Sequence, residues 1–206
     1  MSTLPTTDRR GRIERQTGET SVTLDLSLDP TPGAAPGTIT TGVPFLDHML
    51  DAMARHGHLG LDVRATGDAA MDPHHTVEDV GICLGLALKQ ALGDRAGIAR
   101  YGHAYAPLDE ALARVVIDCS GRPYTHFEGT LPEPIIGAGF AASLVEEFWR
   151  AVATNAGLTM HVDLLRARNA HHAAEAVFKA AALALRAAVA QTGDPRRVPS
   201  TKGMLA

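Results

Sequence analysis

The run His74-His75-Thr76-Val77-Glu78 returns as His171-His172-Ala173-Ala174-Glu175, so the chain carries His-His-x-x-Glu twice, 97 residues apart. A chain that repeats a cluster of imidazoles and a carboxylate must place two equivalent ligand sets, and internal duplication is the simplest architecture that does so. On a helix each residue advances about 100°, so the glutamate lies over the histidines three and four positions before it, while the adjacent histidines point apart. Neighbouring histidines therefore serve two ions more easily than one. Each copy opens with a helix-start signal: Asp72 can cap with Pro73 at the first helical position, and Asn169 can cap at the matching place. Imidazole with carboxylate suits Mn, Fe, Zn or Ni, and the absence of a thiolate from both copies argues against a Cys-type structural zinc site. A lone His-x-x-Glu is more often two solvated helix residues; duplication with both histidines kept is what gives it meaning.

The flanks repeat as well. Gly42 to Leu50 runs into a helical pattern, Leu59 to Arg64 alternates like a strand, and the first ligand helix follows. In the second half Phe140 to Asn155 reads as helix, Leu158 to Leu164 alternates, and the second ligand helix follows. Aligning the halves sets His48 opposite Glu147, each about one strand upstream of its own His-His pair. Two equivalent four-ligand sets are the consequence.

Along the chain, Met1 to Gly11 reads as a disordered arm, and Arg12 to Gln16 and Glu19 to Leu28 as strands joined by a turn at Thr17-Gly18. Asp29 to Gly37 is a loop by composition, and Thr38 to Thr41 a short returning strand. Helices are expected at Pro44 to Arg55 and Pro73 to Leu92, strands at Ala99 to Tyr105, Ala111 to Cys119 and Tyr124 to Glu128. The fold class is α+β with two similar units, each a mostly antiparallel sheet carrying helices on one face. We divide the chain into an arm (1–11), a first repeat (12–95), a second repeat (96–192) and a tail (193–206).

With 206 residues and 45% hydrophobic content, the chain can bury one substantial core or two fused small ones. No apolar run reaches transmembrane length and the first residues lack the apolar stretch of a signal peptide, so a cytoplasmic protein is expected. Cys83 and Cys119 form no close pair and read as buried reduced thiols. A formal net charge of -4 provides no basic field for nucleic acid.

There is no Walker or dinucleotide fingerprint, so any phosphate would be held by scattered cations. Candidates are Arg100, Arg122, Lys179 and the closing Pro199-Ser200-Thr201-Lys202-Gly203. Lys179 is the best on local grounds, because it follows Glu175 by one helical turn. His56 and His58 flank Gly57 at a helix end as caps or solvated residues, His161 lies on the polar side of an alternating strand, and His103 and His126 lack ligand spacing. Asp109-Glu110 leads an apolar strand and suits a structural hydrogen bond better than acid-base catalysis. Ser120 lacks the strand-Ser-helix context of a nucleophile.

Taken together, Pro44-Phe45-Leu46-Asp47-His48-Met49-Leu50, Asp72-Pro73-His74-His75-Thr76-Val77-Glu78-Asp79, Leu108-Asp109-Glu110, Ser120-Gly121-Arg122-Pro123 and Pro199-Ser200-Thr201-Lys202-Gly203 resemble the imidazoleglycerol-phosphate dehydratases of histidine biosynthesis. The resemblance runs from about Arg12 to Gly203. It implies a duplicated fold of the ribosomal protein S5 domain 2-like type, two Mn²⁺ per subunit, and a homo-oligomeric 24-subunit shell with active sites at subunit contacts. It also implies one Mn²⁺ on His48, His75, Glu78 and His171, and another on His74, His172, Glu175 and position 147. The family pattern has histidine at that last position; this chain departs from it with Glu147, a carboxylate that a comparatively hard ion accepts. Substrate contacts carried over by the resemblance fall on Glu19, Arg100, Arg122, Lys179, Ser200, Thr201 and Lys202.

The implied reaction explains two metals. The C2 proton of the glycerol phosphate chain has no adjacent carbonyl, so direct abstraction is slow. If the ring binds as imidazolate, one nitrogen per metal, it can expel the C3 hydroxyl, and the resulting diazafulvene acidifies C2, with the metals acting as Lewis acids and template. Glu19, by family position, is the proton shuttle, and His48, His75, Glu78, His171 and Glu175 complete the catalytic set. Two rivals share these residues. A dinuclear metallohydrolase of phosphate esters would release inorganic phosphate, and a metal-storage shell would give Ser200-Thr201-Lys202 no role.

Overall fold

The computed structural model describes residues 9–33, 35, 37–67, 72–201 and 205. The elements run β1 (Arg10–Gln16), β2 (Thr20–Ser27), β3 (Ile39–Thr40), α1 (Pro44–Gly57), β4 (Gly60–Gly67) and α2 (His74–Leu92). The second half follows with β5 (Tyr101–Leu108), β6 (Ala111–Asp118), β7 (Tyr124–Glu128), the short β8 (Ile135–Ile136) and β9 (Phe140–Ala141), α3 (Leu144–Ala156), β10 (Thr159–Arg166) and α4 (Ala170–Val189). One sheet has the order β1-β2-β4-β3 and the other β5-β6-β10-β7. In both, the first three strands pair antiparallel and the fourth joins parallel. Apart from the β8–β9 hairpin, the second half repeats the first element for element. The α+β duplication expected from the repeated motif is the observed architecture.

Alternation makes each sheet one-sided. Val22, Leu24 and Leu26 of β2, and Ala113, Val115 and Ile117 of β6, are buried, while their neighbours Ser21 and Val116 are exposed. Helix α2 packs on β1 and β2 and α4 on β5 and β6, and the halves meet where α2 contacts α3 and α1 contacts α4. Two glycines permit the α2–α3 approach. A Cβ on Gly81 would lie 2.9 Å from the Phe148 carbonyl oxygen, and one on Gly85 2.6 Å from that of Val152. Phe148, Trp149 and Phe178 stack at the centre, with ring centroids 5.1–5.2 Å apart. Burying such a ring contributes roughly 1.5–3 kcal/mol.

Several element boundaries differ from expectation. α3 starts at Leu144 rather than Phe140, because Phe140 and Ala141 pair with Ile136 and Ile135 as a hairpin. Gly137 and Gly139 turn that hairpin with positive φ, and Ala142 donates its N–H to the Pro134 carbonyl. α2 begins one residue later than expected, with Pro73 already helical; Asp72 still accepts from the His74 N–H at 3.0 Å. β1 begins at Arg10, within the expected arm, whose residues 1–8 lie outside the described ones. Cys83 and Cys119 are buried and free, and burial pushes their thiols up to about 11 and about 12. Among the described residues no helix is long and apolar enough to cross a membrane.

Candidate active site

The two ligand helices present their N-terminal turns to solvent. On α4 the Asn169 side chain accepts from the His172 N–H at 3.1 Å, the expected cap, and fixes the turn that carries both histidines. His171 and Glu175 stand one turn apart, and α1 packs against α4 so that His48 reaches the same place. His48 Nε2 lies 3.2 Å and His171 Nε2 3.3 Å from Glu175 Oε2. The three ligand atoms lie within 4.8 Å of one another. Phe45 sets its ring edge-on to His171, with centroids 5.3 Å apart, and is itself backed by Phe140. Lys179 Nζ approaches Glu175 Oε1 to 2.6 Å. Burial alone would raise the Glu175 carboxyl; hydrogen bonds from Lys179 and His48 outweigh it and hold the group below its ordinary value. Two imidazole nitrogens and an ionised carboxylate oxygen, converging with no fourth donor among the described residues, are a donor set that fits a divalent first-row ion.

This grouping differs from the one the resemblance implied. Glu175 was expected with His74 and His172, but the helix puts it over His171, one turn earlier, and the adjacent His172 turns away. The rings of His171 and His172 are 6.2 Å apart and at 89°. His172 Nδ1 instead meets Glu110 Oε2 at 2.9 Å, at the β5–β6 turn. That hydrogen bond raises the His172 imidazole and lowers the Glu110 carboxyl. In the first half His75 Nδ1 lies 3.5 Å from Glu19 Oε2, at the β1–β2 turn. Thr20, next to Glu19, donates to buried Asp79, next to Glu78, and Arg15 pairs with Asp79 at 3.0 Å. The β1–β2 turn and the first ligand helix are thereby tied together.

His74 and Glu78 are half-buried at the start of α2. Glu147 is paired with Arg150, one turn along α3. Among the described residues, none of these three enters a metal-holding group within the single chain.

The cations gather elsewhere. Arg100, with a positive φ of 73°, makes a two-pronged pair with Asp118 at 2.7 and 3.1 Å and donates to the Pro199 carbonyl at 2.7 Å. Arg122 is exposed, with its guanidinium 4.0 Å from Asp118. Together with Arg197, Ser200 and Thr201 they line an open cleft of about 970 Å³. Lys202 lies outside the described residues. Sequence reasoning missed Asp118 and Arg197, while the structural hydrogen bond expected at Asp109-Glu110 is the one between Glu110 and His172. The signal at Glu110 is its position just before its hairpin's second strand, β6, as Glu19 stands just before β2.

The cleft and the His48–His171–Glu175 cluster occupy opposite ends of the molecule. Arg100 donates its backbone N–H to Ala188, sixteen residues along α4 from His172, a helical rise of about 24 Å. Strand β6 gives a similar measure: Glu110 precedes its first residue and Asp118 is its last, about 27 Å at an antiparallel rise.

The family model for imidazoleglycerol-phosphate dehydratase matches residues 41–185. The chain is 52% identical to the imidazoleglycerol-phosphate dehydratase of Salinibacter ruber over the whole of both chains. It is 54% identical to that of Ralstonia nicotianae, over 96% of this chain and 99% of the relative. The crystal structure of the Staphylococcus aureus enzyme superposes with a TM-score of 0.79 at 43% identity, covering 89% of this chain and 99% of the other. The Pyrococcus furiosus enzyme, crystallised with (S)-C348, also gives 0.79, at 36% identity over 94% and 100%. A duplicated fold, two His-His-x-x-Glu helix starts and an arginine cleft, together with these likenesses along nearly the full length, establish that the chain belongs to the imidazoleglycerol-phosphate dehydratase family.

Proposed function

We propose that the chain dehydrates imidazoleglycerol phosphate to imidazoleacetol phosphate in histidine biosynthesis, as a cytoplasmic, manganese-dependent hydro-lyase whose active sites are completed between copies. Family membership supports the reaction class, and the observation that carries the rest is the convergence of His48, His171 and Glu175. These three would hold one ion. Internal symmetry assigns the matching positions Glu147, His74 and Glu78 to the second, with His75 and His172, which turn the other way, available to sites on neighbouring copies. When bound, the two ions supply Lewis-acid polarisation of the substrate's imidazole ring and a template for it.

The chain's own residues do the remaining work. Glu19, 59% exposed and in loose contact with His75, is free to swing and move the proton between C2 and C3 of the substrate chain. Lys179 keeps Glu175 ionised and therefore able to ligate. Arg100 is pre-oriented by Asp118, and Arg122, Ser200 and Thr201, with Lys202 beyond them, would grip the phosphate and so hold the substrate chain in place for proton transfer to Glu19.

Distance supports assembly. The roughly 24 Å from His172 to the Arg100 end of α4 is far beyond the reach of a three-carbon phosphate ester, which favours a site in which the cleft of one copy faces the ions of another. The outer face of the second sheet, which exposes Tyr101, Tyr105, Val116 and Tyr124, suits such contacts, and a closed 24-subunit shell is the assembly we expect.

The test is an assay on imidazoleglycerol phosphate after stripping divalent metal with a chelator. Activity and particle size are expected to fall together and to return with Mn²⁺, with imidazoleacetol phosphate as the product. Release of inorganic phosphate would favour the metallohydrolase instead.

A further inference from the structure

We infer that Glu110 is a positioning residue for His172: its carboxylate engages Nδ1 and so fixes the imidazole with Nε2 directed outward for a metal ion. The inference rests on the two-metal reading above and deepens it. Each half of the molecule brings a hairpin carboxylate to the second histidine of its pair, Glu19 to His75 and Glu110 to His172. The two contacts are not alike. Glu19 is 59% exposed and 3.5 Å from its histidine, whereas Glu110 is 28% exposed and only 2.9 Å away.

Asp109, held at a φ of 48°, sets the tight turn that delivers Glu110, and the Asn169 cap anchors the His172 backbone. His172 is thus clamped at main chain and side chain together. Duplication has left one carboxylate loose, suited to carrying a proton, and one fixed, suited to holding a ligand. A carboxylate on Nδ1 selects the tautomer that carries its proton there, leaves the Nε2 lone pair for an ion, and makes that nitrogen more basic.

The experiment is a metal titration of the full-length, chelator-stripped protein, followed through Mn²⁺ binding and the visible spectrum of Co²⁺. The wild type is expected to take two ions per chain. Glu110→Ala should weaken one site about 10- to 100-fold and change the Co²⁺ spectrum of that site, leaving the other intact. Glu110→Gln, whose carbonyl oxygen still accepts from Nδ1 without the charge, should fall between. The unfolding midpoint of the stripped protein should not move. Glu128→Ala, which removes an exposed carboxylate 3.7 Å from His126 on the outer sheet face, should bind as the wild type does. If Glu110→Ala does not fold, Glu110→Met, which keeps the stem and removes the acceptor, decides alone. Two sites of wild-type affinity in either variant would overturn the role of Glu110. A wild type that binds no metal would overturn the two-metal reading instead.

Discussion

His171→Ala is expected to lose the ion held with His48 and Glu175 and to lower kcat/KM by about 10³-fold or more. The Lewis-acid contribution of such an ion is several kcal/mol, and each 1.36 kcal/mol is tenfold in rate. The fold should survive, because the His171 side chain is 44% exposed and contributes little to the core. Glu175→Ala should have the same effect on metal and also strip Lys179 of its partner. Metal content by elemental analysis, beside circular dichroism and steady-state kinetics, checks both. A metal-depleted variant with wild-type kcat/KM would contradict the assignment.

Arg122→Ala should do the opposite, keeping its metal and losing its grip on phosphate-bearing ligands. Arg122 is 62% exposed and only 4.0 Å from Asp118, which keeps its closer pair with Arg100, so the change reports on ligand rather than on folding. Loss of one charge-assisted contact costs about 1.5–3 kcal/mol, or roughly 10- to 150-fold in affinity. Inhibition by a phosphate-bearing substrate analogue, compared with the same analogue lacking the phosphate, measures it. A variant that loses metal and binds the analogue normally would move Arg122 out of the cleft's role.

What was legible in the sequence was what is local. The two His-His-x-x-Glu runs announced a meeting of imidazole and carboxylate because a helix brings residues three and four apart together, as His171 and Glu175 show, and Asn169 announced its cap because capping is settled within one turn. The antiparallel halves were legible because their strands alternate and recur in order. The β8–β9 hairpin was not, since Ile135–Ile136 and Phe140–Ala141 are too short to carry a period and are held by pairing and by a bond from Ala142 to Pro134. Nor was the grouping of Glu175 with His48, which depends on α1 packing against α4 across 127 residues of chain. Asp118 as the partner of Arg100 and Glu110 as that of His172 are tertiary facts of the same kind. Glu147 is the reverse case: its pair with Arg150 is an i,i+3 contact that the sequence displayed and alignment of the halves overlooked.

The central claim is that the ions and the phosphate cleft serving one substrate belong to different copies of the chain. Co-expressing His171→Ala and Arg122→Ala chains in equal amounts, separately tagged so that mixed particles can be isolated, tests it directly. Each variant alone is expected to be crippled. In mixed particles, sites that draw an intact cluster from one copy and an intact cleft from another should recover about one quarter of wild-type activity. Mixed particles no more active than the average of the two variants would show that each chain works with its own cluster and cleft, and would contradict the account.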